Sequence, residues 1–350
     1  MTEKDPQIVS GLVLTGEELA PRRADIIIRN GTIAAIEENP RAPQLWICPA
    51  LFNAHTHLAD TIAMDCGATG DLASLVTPPD GLKHRILAAA SRAELVAGMR
   101  ASLEGMIAGG VAGCADFREG GAEGVLALRE AAKGLPVHVS IFGREGGERV
   151  ADGLGVSSTR DVAGVERLVA EAHRAGKKVA FHAGERDSED VDAALSFDPD
   201  FIVHGTHATR GQLRTCAEKG IPIVLCPRSN WALSVTSSAE NPPVRLMEEL
   251  GCTLWLGTDN VMFVPPELSG EMAFWSAVYR TAPETILRAA VAGSSLTGSP
   301  FFIRNGARAN LVIIDPEKNA LKFSRDPVAS LVKRAPFQCP CANVFNSELL

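Results

Sequence analysis

Two histidines one residue apart, His55 and His57, close an apolar run that begins at Trp46. Successive side chains of a strand alternate faces, so both imidazoles leave the same face of one strand end. Their backbones stand roughly 6–7 Å apart along such a strand, close enough for both rings to reach one ion at about 2.0–2.1 Å. Core or solvated histidines could show the same alternation, so the rest of the chain has to supply partners. It does so at three more apolar runs, which end in His182-Ala-Gly-Glu185, His204-Gly-Thr-His207 and Thr258-Asp259-Asn260. A single histidine at a strand end is ordinarily a hydrogen-bonded core residue. Four strand ends carrying His, Glu or Asp form a metal-site pattern, and three neutral imidazoles with one carboxylate suit a divalent ion, zinc ahead of iron or manganese.

The elements that position these residues alternate along the chain. Short apolar runs end at His55/His57 and occupy 111–117, 137–142, 153–157, 179–182, 201–204, 221–226 and 253–258, eight in all, with 153–157 the weakest. Stretches 161–175 and 209–219 between them carry apolar residues at helical spacing. Repeated βα units make a parallel sheet, and eight of them close into an α/β fold of the TIM type, a (β/α)8 barrel with its chemistry at the C-terminal strand ends. Both chain ends are β-rich. Runs 8–14 and 24–29 precede an Asn30-Gly31 turn into 31–38, and 309–315 and 342–347 lie near the other end. The expectation is a small β-sandwich domain built from residues 1–48 and 305–350, around a barrel of 49–304. The connection from Leu58 to about Arg92, with Pro78-Pro79-Asp80-Gly81, reads as a loop over the barrel mouth, and the role of 78–85 stays open.

Composition narrows the function classes. The 350 residues are 46% hydrophobic with a net charge of −8 and no lysine- or arginine-rich block, which disfavours nucleic-acid and anionic-membrane binding. No apolar run approaches the ~18–20 residues of a membrane span, and the first residues lack a signal-peptide pattern. Eight scattered cysteines read as reduced thiols of a cytoplasmic protein, and Cys339-Pro-Cys341 as packing. HExxH is absent, as is the HxE…PCxxC of the small zinc deaminases.

With those residues in view, the chain resembles the amidohydrolase superfamily along nearly its whole length. Pro49-Ala-Leu-Phe-Asn-Ala-His55-Thr-His57-Leu58 is similar to that family's first-strand signature. His182, His204 and Asp259 stand where it places its other site residues, and Gly306-Ala-Arg-Ala-Asn-Leu-Val-Ile-Ile-Asp315 resembles its returning strand, with Asn310 in place of an aspartate. His182-Ala-Gly-Glu185 and Cys226-Pro-Arg-Ser-Asn230 look most like the deaminase and chlorohydrolase branch. The resemblance implies His55, His57, His182 and Asp259 as metal ligands. It implies Asp259 as the group that takes a proton from water, Glu185 as a proton shuttle to a ring nitrogen, and His204 as the polariser of the attacked centre. Two-metal members carry a lysine at the end of the fourth strand; residues 152–158 have none, which implies a single ion.

The reaction so implied is hydrolysis of a non-peptide C–N bond, foremost deamination of a nucleobase-like cyclic amidine. A cyclic amide or a carbon–halogen bond is the alternative, and a non-catalytic metal-binding barrel a third reading. Asp60, Lys83, His84, Arg228 and Asn230 are candidates for contact with a small heterocyclic substrate. Asp116, Arg118, Arg144 and Glu145 also face the rim, His207, His138 and His173 read as structural or surface residues, and a homo-oligomer is possible. The run after the fourth strand lacks the His and aromatic that many relatives use to hold substrate, so substrate preference does not transfer from them.

Overall fold

The computed structural model describes residues 5–66, 72–76, 80–318, 320–334, 342–345 and 348–349. Strands β1 (Gln7–Thr15), β2 (Ala20–Arg29), β3 (Thr32–Glu38) and β4 (Trp46–Pro49) open the chain. The turn between β2 and β3 is Asn30-Gly31, with φ of +49° and +73°. Both central residues of this two-residue hairpin loop are left-handed, the conformation that Asn and Gly reach at least cost.

Eight barrel segments follow: β5 (Leu51–His57), β6 (Val111–Arg118), β7 (His138–Gly143), β8 (Gly153–Val156), β9 (Lys178–Ala183), β10 (Phe201–His204), β11 (Ile223–Leu225) and a last one in two pieces, β12 (Leu254–Leu256) and β13 (Asp259–Asn260). Neighbours pair in parallel from β12 back to β5, and β13 pairs with β5 on its other edge. Between the two pieces, Gly257 N–H donates to Leu225 O at 2.9 Å and Thr258 N–H to His55 O at 3.1 Å. One strand thus bonds to both edges of the sheet, as a TIM-type barrel requires. A side chain at Gly257 would come within 2.7 Å of His55 Cβ. The glycine lets the eighth strand close against the first.

β14 (Leu311–Ile314), β15 (Ala342–Phe345) and β16 (Glu348–Leu349) complete a seven-stranded sheet in the order β16-β15-β14-β4-β1-β2-β3. Both ends of the chain therefore enter one sheet, joined where β14 runs antiparallel to β4. Its inner face, with Val13, Ile26, Ile33, Ile47 and Leu311, forms an apolar cluster separate from that of the barrel.

The fourth barrel strand is weakly patterned for a packing reason. A Cβ at Gly153 would lie 2.7 Å from the Phe142 ring, and one at Gly155 2.7 Å from that of Phe117. The barrel interior is filled by those rings: Phe117 stacks on Phe142 at 5.2 Å, and Phe201 meets Phe142 edge-on at 5.2 Å. Small residues on β8 make room for large ones on its neighbours.

The segment expected as a long loop is largely helical, which corrects that expectation. A 3-10 turn covers Leu58–Ala63, and helices cover Leu72–Val76 and Leu82–Ala89. Lys83 is the one fully buried residue of the last helix, so a charge rather than an apolar stripe fastens it. Pro78 and Pro79 lie outside the described residues, as do Cys339 and Cys341; no disulfide joins the described cysteines. The helix expected at 209–219 runs Arg210–Lys219, started by a Thr209–Gln212 capping box and closed by left-handed Gly220. No helix among the described residues is long and apolar enough to cross a membrane.

Candidate active site

Four strand ends bring His55, His57, His182, His204 and Asp259 onto one side of the barrel mouth. Ligand atoms of His55, His57 and His182 lie within 4.8 Å of one another, and so do those of His55, His204 and Asp259. Asp259 Oδ1 stands 3.0 Å from His55 Nε2 and 3.5 Å from His57 Nε2. Phe117 forms the floor, its ring 4.5 Å from that of His55 and 4.9 Å from that of His182.

Each group is held by a particular neighbour. His182 Nδ1 lies 2.9 Å from Val156 O, the proper distance for an Nδ1–H donated to the carbonyl, which leaves Nε2 as the ligand atom. His204 Nδ1 lies 3.0 Å from Asn230 Oδ1, and Asn230 Nδ2 donates to Thr206 Oγ1. Ser229 Oγ donates to Asp259 Oδ2 at 2.6 Å. Asn53 spans the seam between first and last strands, donating to Thr258 Oγ1 at 2.8 Å and accepting from Thr258 N–H at 3.1 Å. His204 and Asp259 both sit at positive φ, +75° and +63°. Non-glycine residues there cost of order 1–3 kcal/mol and concentrate at functional sites.

Burial sets the protonation states. It draws His55 down to about 4 against the pull of Asp259, and His57 down to about 3 with help from the Lys83 charge; His182 falls well below its ordinary value. Burial alone would raise Asp259, but its contact with His55 and the surrounding histidines hold it well below the usual carboxylate range. At neutral pH the cluster is therefore several neutral imidazoles and one carboxylate, a donor set that fits a divalent ion of the zinc type. Burial raises Glu185, which reaches the cluster with Oε1 3.7 Å from His204 Nε2.

Of the residues expected to touch substrate, Lys83 and His84 line the cleft, together with Arg144, Ser157, Arg186 and Leu233. The other three lie behind its wall, which corrects their role. Arg228 is fully engaged by acids from further along the chain, its Nε 2.5 Å from Glu271 Oε2 and its Nη2 2.9 Å from Glu267 Oε2. Asn230 supports His204, and Asp60 is buried against Lys83 at 3.0 Å. His207 is structural, with Nε2 3.1 Å from Val235 O. Lys177 and Lys178, at the start of β9, are occupied by the carbonyls of 148, 149 and 151 and by Asp200. The end of β8 offers no lysine.

Sequence reasoning missed Glu119, Ser229 and Asn53. The signal for Glu119 was positional, since it follows Asp116 and Arg118 at the end of the second barrel strand. Asn53 sits two residues before His55, but nothing in an asparagine's type marks it as a seam.

A TIM-type barrel whose strand ends gather imidazoles around a carboxylate defines a metal-dependent hydrolase scaffold. The comparisons agree: residues 46–151 match the Amidohydrolase family and residues 152–300 the Adenosine deaminase family. A protein of Methanothermobacter thermautotrophicus named "Putative aminohydrolase" is 36% identical, over 93% of this chain and 94% of its own. A 5-methylthioadenosine/S-adenosylhomocysteine deaminase of Halobacterium salinarum is 28% identical, over 97% and 89%. The solved structure of atrazine chlorohydrolase from Arthrobacter aurescens complexed with zinc superposes with a TM-score of 0.81 at 17% identity, over 98% and 94% of the two chains. The chain belongs to the amidohydrolase family, and it is a hydrolase acting on carbon–nitrogen bonds other than peptide bonds.

Proposed function

We propose that this protein is a zinc-dependent aminohydrolase that releases ammonia from a nucleobase-like cyclic amidine. The observation that carries the reading is the convergence of Glu185 and His204 on the same small space as the clustered ligand atoms of His55, His57, His182 and Asp259. Metal binding alone needs no such carboxyl beside it.

His55, His57, His182 and Asp259 would hold one ion. When bound, the ion would supply a water of near-neutral pKa. Asp259, its orientation kept by the Ser229 hydroxyl and by His55, is placed to accept a proton from the attacking water. Glu185, raised by burial, retains a proton to higher pH than an exposed glutamate and can donate it to a ring nitrogen, which makes the adjacent carbon electrophilic. His204, steadied by Asn230, hydrogen-bonds the attacked centre as charge develops there. As the water oxygen bonds to the ring carbon, the proton taken by Asp259 passes to the amino group, the remaining hydroxyl proton returns to Glu185, and the C–N bond breaks to release ammonia.

The lack of a lysine on the fourth strand supports one ion, and the zinc in the superposed chlorohydrolase supports its identity. That same likeness favours a second reading, hydrolysis of a carbon–halogen bond with the same water. We also propose a cytoplasmic location, and the division into a composite β-sandwich of 1–48 with 305–350 and a barrel of 49–304. The single sheet that both ends of the chain enter supports that division.

The test is ammonia release by the zinc-loaded protein from a panel of purine nucleosides, free purines, pyrimidines and pterins, alongside chloride release from a chlorotriazine. Ammonia from at least one ring is expected. Chloride without ammonia would move the assignment to the second reading, and bound zinc with no hydrolysis of any ring would remove both.

A further inference from the structure

The histidines of the cluster are not supported alike. His182 has a backbone carbonyl at its outer nitrogen, whereas neither His55 Nδ1 nor His57 Nδ1 makes an aligned hydrogen bond among the described residues. Of these two, His57 has a carboxylate within reach there, Glu119 Oε1 at 3.1 Å from its Nδ1, an ion-pair contact rather than an aligned hydrogen bond. Glu119 is buried, and three cations crowd it. Lys83 Nζ lies 3.0 Å from Oε1, Arg118 Nη2 2.6 Å from Oε2, and Arg144 Nη1 3.9 Å from Oε1. Three cations within 4 Å of its oxygens set Glu119 as an anion against the Nδ1 side of His57.

We propose that Glu119 is a positioning residue for His57, keeping its proton on Nδ1 and its Nε2 lone pair aimed into the cluster, and that Lys83 ties the Leu82–Ala89 helix to this support. A carboxylate behind a ligating imidazole fixes the tautomer and ring orientation and raises the basicity of the ligand nitrogen. The arrangement links four residues in series: Asp60, Lys83, Glu119 and His57. Lys83 lines the cleft and its helix fellow His84 lies beside it. The wall of the cleft and His57 therefore share one carboxylate. This inference rests on the reading of His57 as a metal ligand.

The experiment measures zinc affinity by chelator competition, with the melting temperature of the metal-stripped protein recorded for every variant. Visible spectra of the cobalt-substituted forms follow the ligand geometry. For Glu119→Ala, affinity falls about 10–100-fold and the cobalt bands shift. Glu119→Gln keeps the size and one oxygen but loses the charge and sets its NH2 against the Arg118 guanidinium, so its loss also falls within about 10–100-fold. Lys83→Met leaves the Glu119–His57 contact in place, and its affinity stays within about 3-fold of the wild type. Wild-type affinity and an unchanged cobalt spectrum in both Glu119 variants would overturn the proposal. So would a loss in Lys83→Met equal to that in Glu119→Ala, because the network as a whole would then be responsible. If Glu119→Ala does not fold, Glu119→Gln decides. Failure of the wild type to bind zinc would remove the metal reading itself, a separate outcome.

Discussion

Glu185 and Glu271 are both carboxyls near the barrel mouth that burial raises above the ordinary glutamate value, Glu271 to about 7. What separates them is the partners of their oxygens. Glu271 accepts the Arg228 N–H at 2.7 Å with Oε1 and faces Arg228 Nε at 2.5 Å with Oε2. Glu185 has His204 Nε2 at 3.7 Å, and among the described residues no closer ionic partner. One carboxyl is committed to holding the turn after β11, and the other is left facing the cleft. A raised pKa marks burial; availability for chemistry has to be read from the contacts.

The largest effect that tests this contrast is at Glu185. Glu185→Gln keeps the shape and removes the proton, so turnover of the ring found in the ammonia panel should fall by about 10²–10⁴-fold. Zinc content and melting temperature should stay at the wild-type value. Turnover within a few-fold of wild type would show that the free carboxyl has no role in proton transfer. At the other pole, Arg228→Leu leaves Glu271 and Glu267 without their cation. Breaking one side of a buried pair typically costs about 3–5 kcal/mol, which a denaturant titration reads directly, while KM stays unchanged. A raised KM with unaltered stability would return Arg228 to the substrate.

How far each pole was legible in the sequence follows from the same distinction. Four barrel strands could be read because their apolar runs end abruptly in histidine or aspartate, and the Asn30-Gly31 turn because its residues have few alternatives. The β8 strand was faint, since its glycines are chosen by the rings of Phe117 and Phe142 across the barrel. The 82–89 helix was hidden because its one buried anchor is a lysine. Within the site, histidines at strand ends announce themselves by type. Arg228 was misread because the acids that engage it arrive 39 and 43 residues later, and no local pattern reports that. Glu119 went unnoticed because a glutamate after a strand is ordinarily a solvated one. Only the approach of His57, Lys83 and Arg144 from three other segments makes it otherwise.

The smallest expected effect is a difference of sign in the response to pH. His55 and His57 titrate near 6.5 when unfolded and at about 4 and about 3 in the fold. Their folded values are lowered, so the unfolded chain binds more protons between those limits. The stability they permit is present above pH 6.5 and is lost as pH falls toward 4. Glu271 runs the other way. Its folded value of about 7 lies above the unfolded one, so its contribution is present at acid pH and is lost as pH rises through 7. Melting temperatures of the metal-stripped protein should therefore fall on the acid side of 6.5. Between pH 5 and 8, the stability of the wild type relative to Glu271→Gln should shrink. Should that difference widen with pH instead, Glu271 would be ionised by Arg228 throughout the range. The two carboxyls would then differ in charge as well as in contacts.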